Sequence, residues 1–144
     1  MTQKEFRRMA LAFPDAEERE HMDHPDFRVD GRIFATMGYP DVRWGMVKLF
    51  PDQQAAFVAA DPEAFVPAKG AWGRQGSTCV LLKAANKTAV QEALHAAWRN
   101  AAVKAALRHL EEAEPALKRT PAAKPAAKRT AARRRTRVSN AIPT

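Results

Sequence analysis

Every aromatic residue of this chain lies before Pro115, and beyond that point the large aliphatics shrink to Leu117, Val138 and Ile142. Burial of apolar surface is the main favourable term in folding, so only residues 1–114 can supply a core. That length suits one ordinary domain and leaves no room for a second. Charge divides at the same place. Residues 115–144 hold nine Lys or Arg and no acid, whereas residues 1–114 hold fifteen basic and sixteen acidic side chains, a net of −1. The +8 of the whole chain therefore belongs to its last thirty residues. A segment so poor in apolar side chains is expected to stay disordered. Within it Pro121-Ala122-Ala123-Lys124 recurs as Pro125-Ala126-Ala127-Lys128, and Lys118-Arg119-Thr120 as Lys128-Arg129-Thr130, repeats of composition with no supersecondary unit behind them.

The first 114 residues alternate helix and strand signals. Thr2-Gln3-Lys4-Glu5 has the pattern of a capping box, and Phe6, Met9, Ala10 and Phe13 follow at helical spacing until Pro14. Asp30-Gly31 between Phe27-Arg28-Val29 and Ile33–Met37 predicts a β-hairpin. Gly38-Tyr39-Pro40-Asp41 reads as the next turn and Val42–Leu49 as another strand, whose mixed pattern leaves its buried face open. Pro51-Asp52 opens a short helix to about Ala59, and Asp61-Pro62-Glu63 starts a turn from which Phe65 and Val66 return to the core. A glycine-rich loop, Lys69–Gly76, leads into the apolar run Ser77–Leu82, expected to be a buried strand. A long helix from Asn86 or Thr88 then presents Val90, Leu94, Ala97, Trp98 and Ala101 on one face and runs to Pro115. Short connections make the first strands antiparallel. The predicted fold is a two-layer α+β sandwich, an antiparallel sheet with helices on one face, burying Phe6, Phe13, Ile33, Phe34, Leu81, Leu94 and Trp98 together.

The order of the pieces carries a resemblance. His24 to Thr36, then Val47-Lys48-Leu49, Phe65, the Gly70–Gly76 loop with Thr78 and Val80, and finally Leu94 and Ala97-Trp98, resemble the MmcQ/YjbR family over roughly residues 1–104. The resemblance implies a compact α+β domain akin to frataxin-like and secretion-chaperone-like sandwiches. It further implies a DNA-binding label and no catalytic residues. The basic segment lies outside it and resembles the tails of linker histones in composition.

Nine cations without an acid point to a polyanionic partner, because each phosphate neutralised releases counterions whatever the base sequence. Lys118, Arg119, Lys124, Lys128, Arg129, Arg133, Arg134, Arg135 and Arg137 are the expected phosphate contacts. In the folded part, Lys69, Trp72 and Arg74 are candidates for a second contact, with glycines admitting a phosphate and the indole stacking on a base. The structural alternative is a tight connection whose Trp72 caps the core. The loop is no Walker motif, since no Gly-Lys-Ser/Thr ends it. Arg43, Lys48 and Lys83 extend the candidate basic strip if their strands are neighbours.

Other groupings read as structural. His21-Met22-Asp23-His24 with Asp26 suggests a metal site, but within one strand the two His point to opposite faces and no further ligand completes the sphere. Glu17, Glu18 and Glu20 read as an exposed strand start, Cys79 as a small buried hydrophobe. One cysteine forms no intrachain disulfide, no apolar run is long enough to span a bilayer, and no signal peptide opens the chain, which together imply the cytoplasm. The reading is a non-enzymatic, nucleoid-associated protein that binds nucleic acid, first of all double-stranded DNA, without cofactor or metal. The alternative is a protein-interaction or chaperone-like module that the tail only localises. A chain ending at Glu114 should keep a single cooperative thermal unfolding transition, checked by circular dichroism; its loss on truncation would place part of the core beyond Pro115.

Overall fold

The computed structural model describes residues 1–118. In chain order its elements are α1 (Gln3–Leu11), β1 (Ala16–His21), β2 (His24–Val29), β3 (Arg32–Met37), β4 (Trp44–Lys48), α2 (Pro51–Ala60), β5 (Phe65–Pro67), α3 (Gly70–Arg74), β6 (Ser77–Leu81) and α4 (Lys87–Lys118). The six strands form one sheet in the order β1-β2-β3-β4-β6-β5, with every neighbouring pair antiparallel. The predicted α+β sandwich is what the chain forms.

Local chemistry accounts for most boundaries. The Thr2 hydroxyl accepts from the Glu5 N–H at 3.1 Å while the Glu5 carboxylate accepts from the Thr2 N–H at 2.9 Å, the reciprocal cap that starts α1. Asp30 and Gly31 have φ of 52° and 80°, both in the left-handed region that a two-residue hairpin matching the strand twist requires. The Asn86 side chain accepts from the Ala89 N–H and opens α4. That helix reaches Lys118, past the Pro115 at which the sequence predicts its end; a proline so near a helix terminus removes one N–H from the ladder.

Register selects the core. In the β2–β3 pair the register shifts between Phe27 and Arg28, so that Phe34 is the extra residue and both Phe34 and Ala35 turn inward. They join Phe6, Ala10, Phe27, Val47, Phe65, Val80, Leu82, Val90, Leu94 and Ala97 in one buried cluster between the sheet and the helices. Each of the fully buried phenylalanines Phe6, Phe27, Phe34 and Phe65 contributes about 1.5–3 kcal/mol through the area it removes from water. Two residues expected in this core lie elsewhere. Ile33 pairs with Arg28 and Leu81 with Trp44, positions on the opposite face, and both are only partly buried; Leu82 takes the inward place. Phe13 and Trp98 pack against the cluster from its margin.

Two elements escape the sequence patterns. The glycine-rich segment is not a plain loop: Gly70–Arg74 forms the short helix α3, closed when the Gly76 N–H bonds the Gly73 carbonyl. Gly76, at φ 115°, admits no side chain, because a Cβ there would lie 2.0 Å from the Leu49 carbonyl oxygen. The other is the hairpin joining β1 to β2 through Met22 and Asp23, at φ of 51° and 65°.

The chain divides into two units, Met1–Ala106 and Leu107–Thr144. In the second, Arg108 and Glu112 pair at 3.3 Å one helical turn apart. Among the described residues, no helix is long and apolar enough to cross a membrane. Because Met22 and Asp23 hold left-handed backbone at a cost that Asn and Gly avoid, replacing them with Asn-Gly should raise stability by about 1 kcal/mol, read from the shift in urea midpoint.

Candidate nucleic-acid interface

Because side chains alternate along a strand, the residues between those of the core face away from the helices. Register lines up Asp26, Thr36, Met46 and Cys79 across β2, β3, β4 and β6 on that second face. Met46, Cys79 and Ala68 form a small buried cluster of their own, with Tyr39 and Trp44 packed on it. Tyr39 meets His24 edge-on at 6.1 Å between ring centroids, and Trp72 of α3 meets Tyr39 at 6.1 Å and 63°. A run of rings, His24–Tyr39–Trp72, thus crosses from the β2 side of the sheet to α3. Trp72 is 52% exposed, so it does not close the core as a cap would.

Lys69 and Arg74 bracket this indole, as N-cap and last residue of α3. Both are exposed and form no ion pair among the described residues. Arg43, by contrast, is committed. Its guanidinium forks the Asp41 carboxylate at 3.0 and 2.8 Å, and its backbone N–H adds a third bond. These bonds hold the Asp41 pKa down to about 2. The single basic strip of Arg43, Lys48 and Lys83 does not form. The Leu82 N–H bonds the Arg43 carbonyl, bringing Arg43 and Lys83 to one end of the β4–β6 pair, while Lys48 pairs with Ser77 at the other. Five residues of strand, about 16 Å, separate those ends. Lys48 instead lies at the Lys69 end, since the Ala68 N–H bonds the Ser77 carbonyl. Burial and the nearby Lys104 charge lower its pKa. Lys118 ends α4, and Arg119, Lys124, Lys128, Arg129, Arg133, Arg134, Arg135 and Arg137 lie outside the described residues.

The two histidines read as opposed within one strand sit on different strands, directly paired across the β1–β2 hairpin and therefore on one face. His21 Nδ1 lies 2.6 Å from Asp26 Oδ2, and Arg28 donates to both Asp26 oxygens at 2.7 and 3.0 Å. Asp26 is fully buried. Burial pushes its pKa up, but the bonds from Arg28 and His21 outweigh that and hold it below the ordinary value. Among the described residues, no three His, Cys, Asp or Glu side chains are grouped to hold a metal ion. Glu17 pairs with Arg19 and Glu18 with Arg7 at the exposed edge strand. The Cys79 thiol is buried, and burial raises its pKa.

A feature not foreseen is an open pocket of about 420 Å³ lined by Phe13, Pro14, Gln91, Glu92, His95 and Trp98. The three rings stack at 5.8–6.1 Å, and Trp98 Nε1 donates to the Pro14 carbonyl at 3.0 Å. Its wall is mostly apolar and carries Glu92, whose negative charge disfavours a phosphate there.

A two-faced antiparallel sheet with helices on one side defines a class of α+β sandwich. The YjbR family profile matches residues 11–100, and the chain belongs to that family. The crystal structure of protein DR2400 from Deinococcus radiodurans, a DUF419 domain, superposes with a TM-score of 0.58 at 17% identity, over 67% of this chain and 75% of that one. The likeness is one of fold. No curated protein matches the chain.

Removing the Asp26 carboxylate leaves Arg28 without its partner. Asp26→Ala should cost roughly 2–3 kcal/mol, less than a wholly buried pair because Arg28 is partly exposed. Since the folded-state pKa of Asp26 is depressed, its contribution is complete at neutral pH and is lost as pH falls below about 4. Urea midpoints measured from pH 7 down to pH 2 should accordingly converge for wild type and Asp26→Asn at the acid end.

Proposed function

We propose that this protein binds nucleic acid without catalysis, DNA first of all, largely irrespective of sequence. The Lys/Arg-rich segment supplies the phosphate contacts and the folded domain a second contact around Trp72. One observation carries the reading: nine cations and no acid in residues 115–144, joined to a body whose charges nearly cancel. Such a segment has little to attract it within its own chain and much to gain from a phosphate backbone. Two further observations support it. Among the described residues Lys69 and Arg74 have no acidic partner and neighbour a half-exposed indole in sequence, and the cluster that α1 and the first half of α4 help to form lies on the other face of the sheet. The setting that follows is the nucleoid of a cytoplasm. Any sequence preference would need bidentate base contacts from a rigid frame, which clustered arginines in a stretch of this composition do not supply.

Affinity for duplex DNA should fall steeply with salt. With about six cations engaged, log affinity against log salt has a slope near −5, and replacing Arg133, Arg134, Arg135 and Arg137 with Gln flattens it by up to about 4. Fluorescence anisotropy on two duplexes of unrelated sequence reads both quantities. An unchanged slope, or a loss confined to one duplex, would contradict the proposal. Partner binding retained by residues 1–114 without any DNA binding by the full chain would favour an interaction module instead.

A further inference from the structure

We infer that the aromatic face around Trp72 is a stacking site for unpaired bases, which makes single-stranded nucleic acid the ligand of the folded domain. The inference rests on the nucleic-acid reading above and narrows it for this face. The indole is 52% exposed, on a five-residue helix that ends in the side-chain-free turn at Gly76. It is held at one edge by Tyr39, itself held by His24 and seated on the Met46–Cys79–Ala68 cluster. The ring is therefore set in place before any ligand arrives, and a base that stacks on it finds little entropy left to remove.

Charge at this face is selective in the same direction. Asp41 is consumed by Arg43 and Asp26 by Arg28 and His21, whereas Lys69 and Arg74, at the two ends of α3, form no ion pair among the described residues. Lys69, three residues before Trp72 on α3, lies on the indole's side of the helix, so a strand meets an aromatic platform with a cation beside it, the combination that holds a base by its π-face and a flanking phosphate by charge. A duplex cannot use the platform, because its base faces are already covered by one another. It can use only the cations. Trp72 should therefore contribute to binding a single strand and be nearly silent for a duplex, while the basic segment serves both.

The experiment uses the full chain with a fifteen-nucleotide thymidine strand and a duplex of about the same length at one ionic strength, in wild type, Trp72→Ala, Trp72→Phe and the four-arginine variant. Stacking predicts that Trp72→Ala binds the strand about 5- to 150-fold more weakly. It should bind the duplex within about twofold of wild type, and Trp72→Phe should recover most of the strand affinity. Thermal melts of each variant guard against misfolding, and Trp72→Phe decides the matter if Trp72→Ala is unstable. Strand binding that is absent in wild type, unchanged in Trp72→Ala, or lost equally for strand and duplex overturns the inference. If instead the four-arginine variant keeps full duplex affinity while Trp72→Ala loses the strand, the tail reading fails and the stacking site stands.

Discussion

The register across β2, β3, β4 and β6 governs everything else in this domain. Phe27, Ala35 and Val47 stand opposite one another on one face, and Asp26, Thr36, Met46 and Cys79 on the other. A one-residue slip of β4 would exchange Val47 for Met46 and expel the core. It would also move Gly45, where α1 comes so close that a Cβ would lie 2.9 Å from the Phe6 ring. The helices can close over one face because the sheet offers that gap and the bulge at Phe27 and Arg28 sends two consecutive residues inward.

Closing one face leaves the other to be resolved without helices. It does so by pairing what it buries. Asp26 is wholly enclosed yet has both oxygens bonded, and Met46 and Cys79 are covered by Tyr39, Trp44 and Ala68. Arg19, Arg28 and Arg43 are each held by a neighbouring acid, whereas Arg32 of β3 and Lys48 of β4 form no ion pair among the described residues. Lys69 and Arg74, at α3 outside the sheet, have no ion pair among the described residues and neighbour the exposed indole in sequence. A nearly neutral body thus keeps a small basic and aromatic spot, and the excess of positive charge lies in residues 115–144.

Much of the fold was legible because its signals are local. A capping box spans four residues, an Asp-Gly turn two, and the helical stripe of α4 repeats within a few turns. The hairpin at Met22-Asp23 was hidden because neither residue advertises left-handed backbone as glycine does, so His21 and His24 were read as one strand. Trp72, Lys69 and Arg74 stood out from the glycine pattern around them, whereas Tyr39, His24 and Trp44, which complete the aromatic face, had no shared motif with them. Only pairing between strands brings these together.

The sequence by itself determined where a core is possible and where charge accumulates, since both follow from residue type summed along the chain. It also determined the turns and caps, where chemistry acts over a few residues. The tertiary structure alone decided which face of β4 is buried and which of Ile33, Leu81 and Leu82 enters the core. It alone decided that His24, Tyr39 and Trp72 meet as one run of rings. Those choices depend on partners far apart in sequence, set by the register of the sheet; β4 has apolar residues on both of its faces, and only the helix packed against one side breaks that tie.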